Sequence, residues 1–274
     1  MKTLINHQLI SQTVIDSGEL AMLGAVIHNF PDPGDYQVAV LADELIVATH
    51  TLRVDGKSTA LQVNIDLAPP ASGTTDRTAA GCDCKDEKTL YPGNSPCYTV
   101  NPRGHVLFYV SRGTDGYSVQ VNKANDPKIL FDSRQLQEGD LFAATLLRPG
   151  SYTITNVPAG YKSEVVVAYP KPGKAPFKAL TPVSIDATKA GLVVVADGKE
   201  EKIDKLGIEA TQGQLFKIKT PSRIRIELVE ADDGPEEKRP APVLSWNRHA
   251  GLMASRDQQP VKEPALVKKS SGKA

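Results

Sequence analysis

Three cysteines and a histidine are the residues of this chain whose types and spacing could do chemistry together. Cys82, Cys84, Cys97 and His105 fall within one stretch, and thiolates with an imidazole are a ligand set that zinc favours. The spacing is Cys-x-Cys rather than Cys-x-x-Cys, and only one such pair is present. Two of the thiols could instead form a disulfide on oxidation, or all three could be incidental to a polar loop. We therefore assign no metal and no cofactor, and keep a metal- or redox-responsive module on Cys82, Cys84 and Cys97 as the alternative function.

Acid–base and nucleophilic patterns are weaker still. The sequence holds no Gly-x-Ser-x-Gly, no His-Glu-x-x-His, no phosphate loop and no Gly-x-Gly-x-x-Gly. His7, His28, His50, His105 and His249 are scattered without paired spacing. His50 falls inside a strand, where packing or surface exposure explains it better than a role as a base. Acidic residues sit in turns such as Asp55-Gly56 and Asp115-Gly116, where capping the turn is reason enough for them. The expectation is that the protein is not an enzyme.

A second group of residues points to recognition instead. From Ala231 the chain turns acidic, then basic and proline-rich, and ends in Lys268-Lys269-Ser270-Ser271-Gly272-Lys273-Ala274. Such composition reads as a disordered, solvated tail. Within it Val243–Met253 is an apolar island that carries the only tryptophan. Aromatic and arginine side chains are frequent interface anchors, so Leu244, Trp246, Arg248, Leu252 and Met253 are the candidate partner-binding residues. They dock on a partner or fold back on the chain itself.

Composition limits the remaining classes. Lys+Arg 32 balances Asp+Glu 32, which argues against nucleic acid as a partner, because holding a polyanion needs clustered positive charge. Aromatic residues make up 5% of the chain, too few for a base-stacking platform or an aromatic sugar-binding face. No window approaches the roughly 20 apolar residues of a spanning helix, and Asn6, His7 and Gln8 interrupt the place of a secretory apolar core. A cytoplasmic protein is the default expectation, with export by a route without a cleaved signal left open.

The elements that would position these residues are strands. Tyr36, Val38 and Val40 alternate with Gln37 and Ala39, and Leu61, Val63, Ile65 and Leu67 alternate with polar residues. Leu20–Ile27 is instead an apolar run, Val106–Val110 is a continuous one and reads as a central strand, and Leu141–Leu147 leads into the second Pro-Gly turn. Two turn-and-strand units recur: Pro33-Gly34-Asp35-Tyr36 opens one strand and Pro149-Gly150-Ser151-Tyr152 opens another. Pro69–Thr75 reads as a linker. The expected division is a sandwich over 1–68, a Cys-containing linker over 69–97, a second sandwich over 98–230 and a tail over 231–274.

The first strand series, about residues 12–68, resembles bacterial immunoglobulin-like adhesion and spacer domains of the CARDB type. The stretch Leu147–Tyr161 resembles both the prealbumin-like repeats of Gram-positive surface proteins and the cupredoxin-like fold. These resemblances imply non-catalytic binding or spacing modules in which the turn sets a hairpin and the tyrosine anchors it. A copper site is not implied, since Tyr98–Glu230 holds no cysteine or methionine and only His105. The whole reading is an all-β protein of two sandwich domains with a disordered tail: a structural or adaptor protein that binds protein partners, alone or as one subunit of a larger assembly.

Overall fold

Alternation and turn chemistry dictate most of the strands. The computed structural model describes residues 7–68, 96–113, 116–169, 180–196 and 199–232. After a short helix α1 (His7–Ser11) come β1 (Val14–Asp16), β2 (Gly24–His28), β3 (Gly34–Ala42), β4 (Leu45–Val54), β5 (Gln62–Asp66), β6 (Cys97–Val100), β7 (His105–Tyr109), β8 (Ser118–Lys123) and β9 (Ile129–Asp132). Then follow β10 (Leu141–Thr145), β11 (Gly150–Asn156), β12 (Tyr161–Ala168), β13 (Val183–Thr188), β14 (Gly191–Ala196), β15 (Lys199–Lys202), β16 (Lys205–Glu209), β17 (Gly213–Ile218) and β18 (Ile224–Ala231). Apart from α1 the described elements are all strands, as expected. No helix among the described residues is long and apolar enough to cross a membrane.

Three sheets result, ordered β6-β4-β3-β8-β9, β15-β14-β13-β17-β10-β2-β7-β5 and β1-β18-β11-β12-β16. They record one course run twice. The hairpin β3–β4 corresponds to β11–β12. The parallel pair β4–β6 corresponds to β12–β16, and β5–β7 to β13–β17. The antiparallel pairs β3–β8 and β2–β7 correspond to β11–β18 and β10–β17. Only β14 and β15 have no counterpart among the described residues. The two courses meet where β2 pairs antiparallel with β10, Val26 opposite Phe142, and this pairing fuses one half of each course into a single eight-stranded sheet.

Leader strands are exchanged between the courses. β1 precedes β2 but pairs with β18 of the second course, and β9 precedes β10 but pairs with β8 of the first. The exchange rests on a repeated Asp-Ser-x-x-Leu, Asp16 to Leu20 and Asp132 to Leu136. Ser17 and Ser133 are fully buried. Their hydroxyls accept the Ile224 and Val119 amides, and their own amides donate to the carbonyls of the same two residues. Leu20 and Leu136 then cross back to bridge Tyr117 and Ser222 of their own course.

The expected boundary at residues 69–97 therefore falls between strands that pair with one another. β3, β4 and β5 before that segment share sheets with β8, β6 and β7 after it, and Cys97 opens a strand rather than closing a linker. The described residues belong to one compact unit that ends at Asp232. The second course begins at β9. Its core is continuous with that of the first: Phe108, Phe142 and Phe216, on three strands of the shared sheet, are fully buried. Phe108 stacks at 5.5 Å on Phe131 of β9 in the first five-stranded sheet. An ideal Cβ at Gly24 in the shared sheet would sit 3.1 Å from Ile15 of β1 in the other.

The recurring Pro-Gly turn does in both places what its sequence implied. Tyr36 and Tyr152 are buried, and each hydroxyl donates to a carbonyl four residues back, Asp32 and Arg148, at 2.7 Å. Gly34 and Gly150 share a φ of 148°, a backbone that side chains rarely adopt. Their surroundings differ. A Cβ at Gly150 would fall onto the Glu230 carbonyl oxygen and lie 3.0 Å from Ala231 Cα, whereas at Gly34 it would meet only the flexible end of Lys123. Gly150→Ala is expected to destabilise by about 3 kcal/mol or more, and Gly34→Ala by only about 1–2 kcal/mol. Urea unfolding of the two variants checks the order.

Candidate functional site

Of the residues singled out in the sequence, Cys82, Cys84, Leu244, Trp246, Arg248, Leu252 and Met253 lie outside the described residues. Cys97 and His105 lie within them, and the fold does not bring the two together. Cys97 opens β6 opposite Thr51 of β4, while His105 opens β7 and is exposed. Tyr98, next to Cys97, is close enough to Tyr109 for their phenols to interact, and Tyr109 is the far end of β7 from His105. Burial pushes the Cys97 thiol above its ordinary range; Arg53 opposes the shift and Asp35 adds to it. A thiol kept protonated is a poor nucleophile and a poor ligand.

Two other histidines, given no catalytic role in the sequence, occupy more particular places. His28 Nδ1 meets Asp140 Oδ1 at 2.5 Å. Asp140 is 2% exposed and its second oxygen accepts the Gln137 amide at 2.7 Å. The imidazole lies against Phe30 and Phe131, with ring centroids at 4.4 and 4.6 Å. A carboxylate on Nδ1 fixes the ring orientation and leaves Nε2 as the free acceptor or donor, the arrangement found beneath catalytic and metal-bound imidazoles. The pair joins β2 of the first course to the residue before β10 of the second. At the other end of the same strand pairing, Gly24 faces Ala144. The partners are separated by 112 positions in sequence, so no local spacing could have revealed them.

His50, read as a packed or surface residue, is packed and orphaned. It lies on β4 with Val38 opposite, edge-on to Tyr98 at 5.9 Å. Both of its ring nitrogens are buried and neither has a hydrogen-bond partner. Burial lowers its pKa, and Asp66 only partly offsets this. The second course resolves the corresponding position differently. Ser163, placed before Val167 as His50 is before Val54, donates its hydroxyl to the Ile203 carbonyl at 2.7 Å.

Comparison with protein-family models, curated proteins and solved structures finds no match to this chain. The resemblances read from the Pro-Gly strands gain no support from it.

The buried, unpaired imidazole of His50 gives a signed prediction. An orphaned buried polar group costs about 1–3 kcal/mol, so His50→Val is expected to raise stability at neutral pH. In the wild type the imidazole stays neutral in the fold but takes a proton in the unfolded chain below about pH 6.5. Stability is therefore lost as pH falls through that value toward the lowered folded pKa. Urea unfolding at a series of pH values should show a shallower acid-side decline for His50→Val than for the wild type.

Proposed function

We propose that this chain is a non-enzymatic structural or adaptor protein that binds protein partners as a subunit of a larger assembly, built from two immunoglobulin-like sandwiches fused through a shared sheet. Support for the sandwich reading comes from the two courses themselves. Each places a hairpin strand with a buried, backbone-bonded tyrosine opposite strands of the shared sheet, much as a tyrosine corner does in immunoglobulin-like domains.

The observation that carries the function is the shared sheet's second face. A sheet with one buried face needs only alternate apolar residues, and continuous apolar runs belong to strands covered on both faces. The stretches Leu20–Ile27, Val106–Val110 and Leu141–Leu147 contain β2, β7 and β10, which are neighbours in this sheet. Their inward residues Val26, Val106, Phe108, Phe142 and Ala144 fill the core. Their outward residues form two apolar rows. Leu107, Ile27 and Leu141 lie side by side, as do Tyr109, Ala25, Ala143 and, on β17, Leu215. All are half-buried and none belongs to the core. Charge stands at the margins of the patch, with Lys217 next to Leu141 and Asp186 beyond it on one side, and Asp66 of β5 next to Tyr109 on the other. An apolar centre with a charged margin is the anatomy of a protein interface, and its occupant on this reading is a partner protein with an apolar face of its own.

The metal- or redox-responsive alternative draws no comparable support, since burial raises the Cys97 thiol pKa and Cys97 stands away from His105. Introducing charge into the patch tests the main reading. Leu107→Lys with Leu215→Lys is expected to leave the thermal transition of the protein intact while lowering its retention of proteins co-purified from the native source at least tenfold. Retention of the same proteins by a folded double variant would overturn it.

A further inference from the structure

The second feature of the surface is an edge rather than a face. β4 is ten residues long, but on the side away from β3 it is paired by β6 only over Thr51–Val54. Its first residues, Leu45 to Ala48, have no described strand on that side. Leu45, Ile46 and Val47 are 71%, 64% and 53% exposed, three consecutive large apolar side chains at the tip of a hairpin. The tip is held in place. Asp43 and Glu44 form its two-residue turn with φ of 48° and 66°, the primed turn that matches strand twist. Arg134 bridges Glu44 and Asp132 at 2.8 Å each, tying the turn to the end of β9.

Edge strands ordinarily carry charge to prevent pairing with another chain. Among the described edges, β5 and β9 each end on an aspartate, β15 reads Lys-Glu-Glu-Lys and β16 carries Lys205 and Glu209. The short β6 covers only part of β4. Leu45-Ile46-Val47-Ala48 has no charge at all and includes the β-branched residues that favour strand pairing. A charged partner segment would find no counter-charge here. An identical segment, run antiparallel about a two-fold axis, would set apolar beside apolar, pair the outward backbone groups of Ile46 next to the bulge that β4 makes opposite Val40 and Leu41, and close without leaving a further edge.

We propose that Leu45–Ala48 is a homotypic docking edge, at which β4 of a second copy of this chain adds antiparallel to β4 of the first. Four residues per copy bury far less than the roughly 800 Å² per partner of a standard stable interface, so the association is weak and dependent on concentration. The edge shares no residue with the apolar face of the eight-stranded sheet, and either can fail without the other.

Sedimentation equilibrium of the full chain from about 10 μM to about 1 mM, the range over which a small interface associates, tests the proposal. The mass-average is expected to climb toward the dimer for the wild type and for the Leu107→Lys, Leu215→Lys double variant. Val47→Lys, and separately Leu45→Lys, should lower the association constant at least tenfold, while Val47→Thr should retain it. Hydrogen exchange at the high end should show protection of the Ile46 amide that is lost on dilution. A monomer throughout, or dimers equally strong in both folded lysine variants, would overturn the proposal. Reading two lysine positions keeps a folding defect at one from deciding the result.

Discussion

The antiparallel pairing of β2 with β10, in the register that sets Val26 against Phe142, is the constraint on which the rest of the structure depends. Both residues are fully buried, and a slip by one residue would turn the core side chains of one of the two strands outward. The register makes one sheet of two courses, and that single sheet requires the leader strands to cross. β1 can reach β18 only because β2 lies beside β10. The crossing is fastened by polar groups that burial would otherwise penalise. Asp16, 2% exposed, takes two hydrogen bonds from Arg223 at 2.9 and 3.0 Å and another from the Gly18 amide. These bonds to Asp16 are also what raises the Arg223 pKa most. Without Arg223 that carboxylate would stand buried and lacking its main partner, a loss far larger than any surface ion pair represents.

Repetition makes the departures from it informative. At one end of the central strand pair Gly24 faces Ala144; at the other, His28 meets Asp140. On the two hairpins, Ser163 is satisfied by the Ile203 carbonyl while His50 has both nitrogens unmatched. Tyr161 donates to the Thr188 carbonyl, while on β4 Leu45, Ile46 and Val47 face solvent. Each difference places the less satisfied, more exposed or more reactive group in or beside the first course. A fold that solves the same packing problem twice and leaves one solution incomplete carries its individuality at the incomplete places.

How much of this was legible in the sequence follows from the range of each interaction. Alternation and turn residues are local, so nearly all strands, both Pro-Gly hairpins and their tyrosines could be read directly. β15, with its run of four charged residues, has no apolar signature, and β6 is hidden behind the proline- and cysteine-rich stretch that precedes it. Pairing is not local. Residues 69–97 look like a boundary because their composition changes there, yet β5 and β7 on either side are neighbours in the shared sheet. The repeat of Asp-Ser-x-x-Leu was the available clue, since Asp16, Leu20, Gly34 and Tyr36 recur at one common offset as Asp132, Leu136, Gly150 and Tyr152. Pairing the two Pro-Gly units alone showed that something was duplicated but not where each copy began. The His28–Asp140 contact depends on the central register and so could not precede it.

The apolar runs are the point at which local and global readings meet. Val106–Val110 was read as a central strand from its composition alone, and β7 does lie inside an eight-stranded sheet. Folding accounts for only half of that composition, because Val106, Phe108 and Val110 enter the core while Leu107 and Tyr109 do not. The same split divides Val26 from Ala25 and Ile27, and Phe142 from Leu141 and Ala143. Cross-strand contact between Leu107, Ile27 and Leu141 stabilises the sheet modestly, but threonine or a long polar side chain would serve a solvated face as well. The uncharged start of β4 presents the same excess on an edge: three apolar side chains that the monomer leaves in water. Both features oppose solubility in a single chain, and both cease to do so once another protein surface is present.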